Sequence, residues 1–290
     1  MGDKSAIEWT DSTWNPIRGT KGMWTCTKVS PGCTHCYAER LNMSKRHGSG
    51  PAYVVGADTV RLDERVLLDP TRWRQPRKIF VCSMTDLFGE WVPDEWINQV
   101  WTVMGQARHH TFQVLTKRPE RIPDFQAAYR GGGFLGNVWL GVSAEDQQRA
   151  DERIPLLLQI PAAVRFLSLE PLLGPIDLRG CPSCGNFYRN GHDCETDNPT
   201  TPIDWVIVGG ESGGSPERAL VYQRPSDPMQ PYRFCVRPQA EEWVRSIRDQ
   251  CVAAGVPFFF KQWGGRTPKS GGRMLDGRTW DAFPSQGKIA

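Results

Sequence analysis

Six short apolar runs recur along the chain, and each ends in polar residues. They are KIFVCSMTD at 78–86, TFQVLTKRP at 111–119, NVWLGVSAED at 137–146, AVRFLSLEP at 163–171, DWVIVGGESG at 204–213 and VPFFFKQWGG at 256–265. Each core holds four or five apolar or β-prone residues, the pattern of a strand buried on both faces. Helical patterns lie between them. Residues 93–108 open on Pro-Asp-Glu and place Trp96, Ile97, Val100 and Met104 on one face. Residues 144–159 and 238–255 read the same way, the latter with Trp243, Val244, Ile247 and Cys251 on one face and Gly255 as its stop. Strand alternating with helix predicts a parallel sheet, and right-handed crossovers bring the carboxyl ends of its strands to one face. With one or two more strands expected near the N-terminus, the prediction is an α/β protein: a partial or full (β/α) barrel of mainly parallel strands, not a doubly wound sheet.

The carboxyl ends are where the runs become polar: Ser83, Thr85, Asp86; Thr116, Lys117, Arg118; Ser143, Glu145, Asp146; Ser168, Glu170; Glu211, Ser212; Lys261, Gln262. Active sites of barrels and open α/β sheets form at that face. Ser, Thr and Asp also cap helices well, so one such end alone means little; six in succession predict a functional face. The expected organisation is one barrel domain over 1–265, interrupted at 180–203 by a polar, Cys-rich insertion and followed by an irregular tail at 266–290. Residues 214–236, rich in Pro, Gly and Arg, read as a long loop on the active face.

Composition narrows the picture a little. A net charge of +3, from 35 basic and 32 acidic residues, does not by itself point to nucleic acid. No run of apolar residues is long enough to span a membrane. The N-terminus lacks an apolar signal region, so the expected location is the cytoplasm and no membrane partner is expected. Twelve tryptophans exceed the average for this length, and many belong in the core.

Cysteine spacing carries the chemistry. Six of the nine cysteines fall in two groups: Cys26, Cys33, Cys36, then Cys181, Cys184, Cys194. In a reducing compartment such groups read as metal ligands before disulfides. Cys82, Cys235 and Cys251 are isolated and read as small buried hydrophobes. The first group, C-x6-C-x2-C, lies in a Gly/Pro-bearing loop just before a predicted helix from Tyr37 to Ser44, and a helix start favours negative charge. A closed zinc site needs four ligands. A four-iron cluster held by three thiolates leaves one iron open for a substrate or cosubstrate. His35 as a fourth ligand would favour zinc, but its place between Cys33 and Cys36 points its side chain away from both.

An N-terminal three-cysteine loop with an aromatic residue, Tyr37, after the last cysteine, followed by a (β/α) barrel, resembles the radical S-adenosylmethionine superfamily. The usual spacing there is C-x3-C-x2-C; the second interval matches and the first, of six, does not. WNP, CTKVSPGCTHCYAER, FVCSMTDLFGE, LTKRPERI, GVSAED, LEPLLGPID, VGGESG and FFFKQWG more closely resemble a family of uncharacterised phage and bacterial proteins, similar in general design to spore photoproduct lyase, a radical enzyme acting on DNA. The resemblance implies a [4Fe–4S] cluster on Cys26, Cys33 and Cys36. It implies S-adenosylmethionine cleaved at the open iron to a 5′-deoxyadenosyl radical, and an external electron donor. Cosubstrate-binding candidates are then Ser83 and Asp86 for the amino group and Ser143 and Glu145 for the ribose. Lys117 (or Arg118) would neutralise a carboxylate. Glu170 and Glu211 would serve cosubstrate or substrate, and Lys117, Glu170 and Glu211 form the catalytic set. A strand-end cap or ion pair is the competing reading for each.

The second group, C-x2-C-x7-H-x-C over Cys181, Cys184, His192 and Cys194, has plausible zinc spacing. A structural zinc, a second cluster and no metal all fit it, with zinc the expectation. Arg72-Trp73-Arg74-Gln75-Pro76-Arg77-Lys78 interleaves an aromatic with cations, as do Arg218, Arg224, Arg233 and Arg237 with Tyr222 and Tyr232. This suits phosphates and stacked bases. A solvated basic face fits it equally well, and it is the likeness to spore photoproduct lyase that makes a nucleic acid or nucleotide, in DNA repair or modification, the expected substrate. The alternative is a non-catalytic, metal-bound nucleic-acid-binding protein. A zinc hydrolase finds little support among five histidines. Reaction, reductant and oligomeric state are not written in the sequence.

Overall fold

A computed structural model describes residues 4–19, 24–44, 60–128, 134–179, 203–223 and 234–285. Seven strands form one sheet: β1 (Ser12–Trp14), β4 (Lys78–Val81), β5 (Thr111–Thr116), β6 (Val138–Ser143), β7 (Val164–Leu169), β8 (Trp205–Gly209) and β11 (Phe258–Gln262). Their spatial order follows the chain without reversal, and the strands run parallel. A doubly wound sheet would reverse at a switch point. This order, with β1 and β11 left as edges, is that of a partial (β/α) barrel. All six predicted runs are strands, and one N-terminal strand, β1, joins them. Every residue of β6, β7 and β8 is buried, which explains why the runs lack alternation.

The chain folds as two compact units, built mainly from 1–142 with 160–164, and from 143–159 with 165–286. The first carries a two-stranded ribbon of β2 (Ile17–Gly19) and β3 (Val60–Leu62), and the helices α1 (Tyr37–Met43), α2 (Glu64–Leu67), α3 (Asp69–Arg72), α4 (Asp94–Gln106) and α5 (Ile122–Ala128). Asp94 and Glu95 sit in the first turn of α4, where its dipole favours them. Its buried stripe is Ile97, Val100, Trp101 and Met104, with Trp101 in place of the expected Trp96. Trp14 is fully buried, and its indole N–H donates to the carbonyl of Val66 at 2.8 Å.

The second unit carries β9 (Val221–Gln223) paired with β10 (Phe234–Val236), α6 (Gln147–Leu158) and α7 (Pro238–Ala254). Helix α6 starts three residues later than its sequence pattern. Asp146 is extended, and its carboxylate caps the helix by accepting from the N–H of Arg149 at 2.9 Å. In α7 the buried stripe is Ala240, Val244, Ile247 and Cys251, and Trp243 lies off it. Gly255 ends the helix in the left-handed conformation (φ 63°). Residues 266–285 form no helix or sheet strand but are pinned to β11. The N–H of Phe260 donates to the carbonyl of Trp280 at 2.8 Å, and the indole of Trp263 donates to the carbonyl of Met274 at 2.8 Å. Phe259 and Asp281 form an antiparallel bridge. No described helix is long and apolar enough to cross a membrane.

One buried histidine gives the first unit a pH dependence. His110 is 1% exposed; its Nδ1 accepts from the N–H of Arg77 at 3.2 Å, which leaves Nε2 to donate to the carbonyl of Pro70 at 3.1 Å. Burial first, and His109 next, hold its pKa below the usual histidine value of 6.5. The unfolded chain therefore binds the proton more readily than the folded one. Stability contributed at neutral pH is lost as pH falls through 6.5 towards the depressed folded value. Urea unfolding at pH 7.5 and pH 5.5 is expected to show a smaller drop in midpoint for His110→Gln than for the natural protein; equal drops would assign the pH dependence elsewhere.

Candidate metal centre and strand-end sites

In the first unit, the loop bearing the three cysteines closes on α1. The N–H of Trp24 donates to Oδ1 of Asn42 at 3.1 Å, and Nδ2 of Asn42 returns to the carbonyl of Trp24 at 3.2 Å. Lys28 and the buried Glu39 pair at 2.8 Å. Glu39 first, and Cys36 and Cys33 further down, raise the pKa of Lys28. Cys33 ends a 3-10 turn from Pro31, and Cys36 is the residue before α1. All three thiols are free and half-buried.

The strand ends hold this loop. Cys82, directly after β4, is buried with φ 54°, a left-handed conformation that strains a non-glycine residue. It starts a turn, closed by the N–H of Thr85 to its carbonyl at 3.1 Å, that presents Ser83, Thr85 and Asp86. The hydroxyl of Tyr37 donates to the carbonyl of Ser83. The hydroxyl of Thr85 donates to the carbonyl of Thr25 at 2.5 Å. Asn15 ties β1 to the same turn: its Oδ1 accepts from the N–H of Met84 at 3.0 Å, and its Nδ2 donates to the Ser83 hydroxyl at 3.1 Å.

Asp86 is the centre of the third tether. Its Oδ1 accepts from the Thr116 hydroxyl at 2.7 Å and the N–H of Phe88 at 3.0 Å; its Oδ2 accepts from the N–H of Lys117 at 3.0 Å and Nη1 of Arg118 at 3.2 Å. Arg118 then reaches the loop, with Nη2 donating to the carbonyl of Thr27 at 3.2 Å and to the Thr27 hydroxyl. The ring of Trp91 lies 4.7 Å from its guanidinium carbon. Ser83 and Asp86, expected to meet a cosubstrate amino group, thus have partners within the protein. Lys117 is half-buried, and its amine has no ion pair among the described residues.

Burial, then the charge of Asp86, pushes the Cys26 thiol up to about 12; Arg118 acts in the opposite direction, and Cys36 and Cys33 add to the rise. Cys26 is therefore a protonated thiol at neutral pH in the apoprotein, not a free nucleophile. The three thiols are carried by one loop, between positions 26 and 36. No three His, Cys, Asp or Glu side chains among the described residues converge on a single metal ion. Three thiols from one loop fit a cluster with an open iron, and they fall one ligand short of a closed zinc site.

In the second unit the predicted residues are again paired. Glu145 is fully buried and accepts from Nη1 of Arg153 at 3.2 Å, while the same nitrogen donates to the carbonyl of Ser143 at 2.8 Å. Ser143 and Ser168 are buried, and the Ser168 carbonyl accepts from the N–H of Ala144 at 3.0 Å. Glu170 accepts from Nζ of Lys261 at 2.6 Å. Glu211 forms a two-pronged pair with Arg218, at 2.9 Å from Nη2 and 3.2 Å from Nε. The glycines around Glu211 serve close packing: a Cβ on Gly210 would lie 2.2 Å from the carbonyl oxygen of Trp263, and one on Gly264 (φ +79°) 2.2 Å from that of Glu211.

The structure brings together Cys26, Cys33, Cys36, Asp86 and Ser83 in one unit, and Ser143 with Glu145, Glu170 with Lys261, and Glu211 with Arg218 in the other. Cys181, Cys184, His192 and Cys194 lie outside the described residues, as do Arg224, Tyr232 and Arg233. The basic stretch 72–78 leads into β4 and so lies at its amino end, away from Ser83 and Asp86 at the other. Its cations have local partners: Arg77 stacks on Trp73 at 4.8 Å, and Arg72 pairs with Asp69 at 3.4 Å. Thr27, Lys28 and Glu39 join the site from within CTKVSPGCTHCYAER, and Thr85 from the polar end of β4. The sequence names no partner for any of them.

One family model, described as "Protein of unknown function (DUF5131)", matches residues 4–223 and 234–284. The chain belongs to the DUF5131 family. The match covers nearly the whole chain and runs through 180–203. No curated protein and no solved structure shows significant similarity to it.

Proposed function

We propose that this DUF5131 protein is a radical S-adenosylmethionine enzyme that holds a [4Fe–4S] cluster on Cys26, Cys33 and Cys36. One observation carries the reading: the three-thiol loop is tied by Tyr37, Thr85 and Arg118 to the carboxyl ends of β4 and β5. That is the end of a parallel sheet where α/β enzymes build their sites. Given one electron from an external donor, a bound cluster with an open iron supplies cleavage of the sulfonium carbon–sulfur bond, yielding methionine and a 5′-deoxyadenosyl radical. The protein's part is to hold the thiolates at fixed positions and keep the loop closed. Lys28, paired with Glu39 at 2.8 Å, adds a positive charge to the same loop. The proposed substrate class is a nucleic acid or nucleotide. What supports it is the general likeness to spore photoproduct lyase, with Lys117 at the end of β5 as a cation that has no ion pair among the described residues.

Anaerobically reconstituted protein given dithionite and S-adenosylmethionine is expected to release 5′-deoxyadenosine and methionine in equal amounts, faster when single-stranded or duplex DNA oligonucleotides are added. A fully loaded protein that releases neither, with or without nucleic acid, would overturn the enzymatic reading. If it also binds the oligonucleotides, it would favour a non-catalytic nucleic-acid-binding protein.

A further inference from the structure

We propose that Arg118 is a positioning residue for the cluster: it fixes the Cys26 end of the loop through Thr27 and gives its Nε–H to a sulfur of the bound centre. This rests on the cluster reading above. The side chain of Arg118 is 3% exposed, and that of its partner Asp86 is 8% exposed. A guanidinium so buried needs each of its donors satisfied. Nη1 donates to Asp86, and Nη2 to the carbonyl and hydroxyl of Thr27. Nε is buried with no acceptor among the described residues. The indole N–H of Trp91, whose ring the guanidinium covers, is a second buried donor without one.

Two unfilled donors on stacked groups call for an electron-rich acceptor, and leaving them unmet costs the full desolvation of each group. The thiol loop supplies the neighbouring candidate: Arg118 grips Thr27, the residue directly after Cys26. A thiolate-bound sulfide cluster is negatively charged and accepts N–H donors at sulfur, which helps set its reduction potential. Asp86 takes the complementary part. With four donors on its two oxygens it holds the guanidinium in one orientation.

The test compares the full-length natural protein with Arg118→Lys. Lysine keeps the charge near Asp86 but has no second prong for Thr27 and no Nε–H. Both proteins are reconstituted anaerobically, their iron and sulfide measured, and the midpoint potential read by EPR-monitored titration. The expected result is at least a twofold loss of iron in Arg118→Lys and a more negative midpoint in the fraction that loads, because a donor stabilising the reduced state is gone. Natural loading with an unchanged midpoint in Arg118→Lys would overturn the inference while leaving the cluster reading intact. Natural protein that takes up no iron would overturn both. Should Arg118→Lys fail to fold, Thr27→Val removes only the hydroxyl that Arg118 grips. Reduced loading in it supports the positioning role, and full loading with an unchanged midpoint counts against it.

Discussion

Alanine at Cys26, Cys33 and Cys36 together is expected to strip the anaerobically purified protein of its brown chromophore and of essentially all its iron. The loss should be complete because no other described cysteine can substitute. Cys82 and Cys251 are buried, and burial pushes both thiols well above their usual range, so neither offers a thiolate. Cys235 stands on β10 with no second cysteine beside it in the sequence. The fold should survive, since all three positions are half-buried and the loop is closed by Trp24, Asn42, Lys28 and Glu39. Iron and sulfide analysis beside far-UV circular dichroism checks both halves. About four irons per chain retained by the triple variant would move the cluster to Cys181, Cys184 and Cys194.

Glu145→Gln is expected to cost about 3–5 kcal/mol of stability, because it leaves a buried arginine without its counter-charge. Glu145 is 0% exposed, and the side chain of Arg153 is 7% exposed. The amide keeps the shape of the carboxylate but not its charge, so packing is nearly constant and the loss reports the ion pair. The double variant Glu145→Leu with Arg153→Met should recover much of the deficit, since apolar replacements of buried pairs are often neutral or better. Urea unfolding of the three proteins measures this. A Glu145 that met the ribose of a cosubstrate, as its strand-end position suggests, would give the opposite outcome: unchanged stability with weakened S-adenosylmethionine binding.

That contrast marks how far sequence carries here. The strands were legible because each is an apolar run bounded by polar residues. The thiol loop was legible because three cysteines in so short a segment point to a metal before a disulfide. The helices were legible as elements but less so as faces. The apolar pattern puts Trp96 and Trp243 on buried stripes that Trp101 and Ala240 occupy, because a tryptophan is large enough to sit at the margin of a face and still look apolar in a one-dimensional pattern. Partnerships were the hidden part. Arg118 meets Thr27, and Lys261 meets Glu170, across 91 residues each. Chain periodicity shows which end of a strand a polar residue occupies. It does not show whether that residue faces a ligand or a neighbouring strand end.

The segment that follows β11 has a consequence for how the protein behaves among its own kind. An edge strand of three consecutive phenylalanines, Phe258 to Phe260, is the sort of template on which sheets extend from molecule to molecule. Here the N–H of Phe260 and the carbonyl of Phe258 on that edge are already engaged by Trp280 and Ala282. A segment without regular secondary structure thus occupies part of the edge on which another strand would dock.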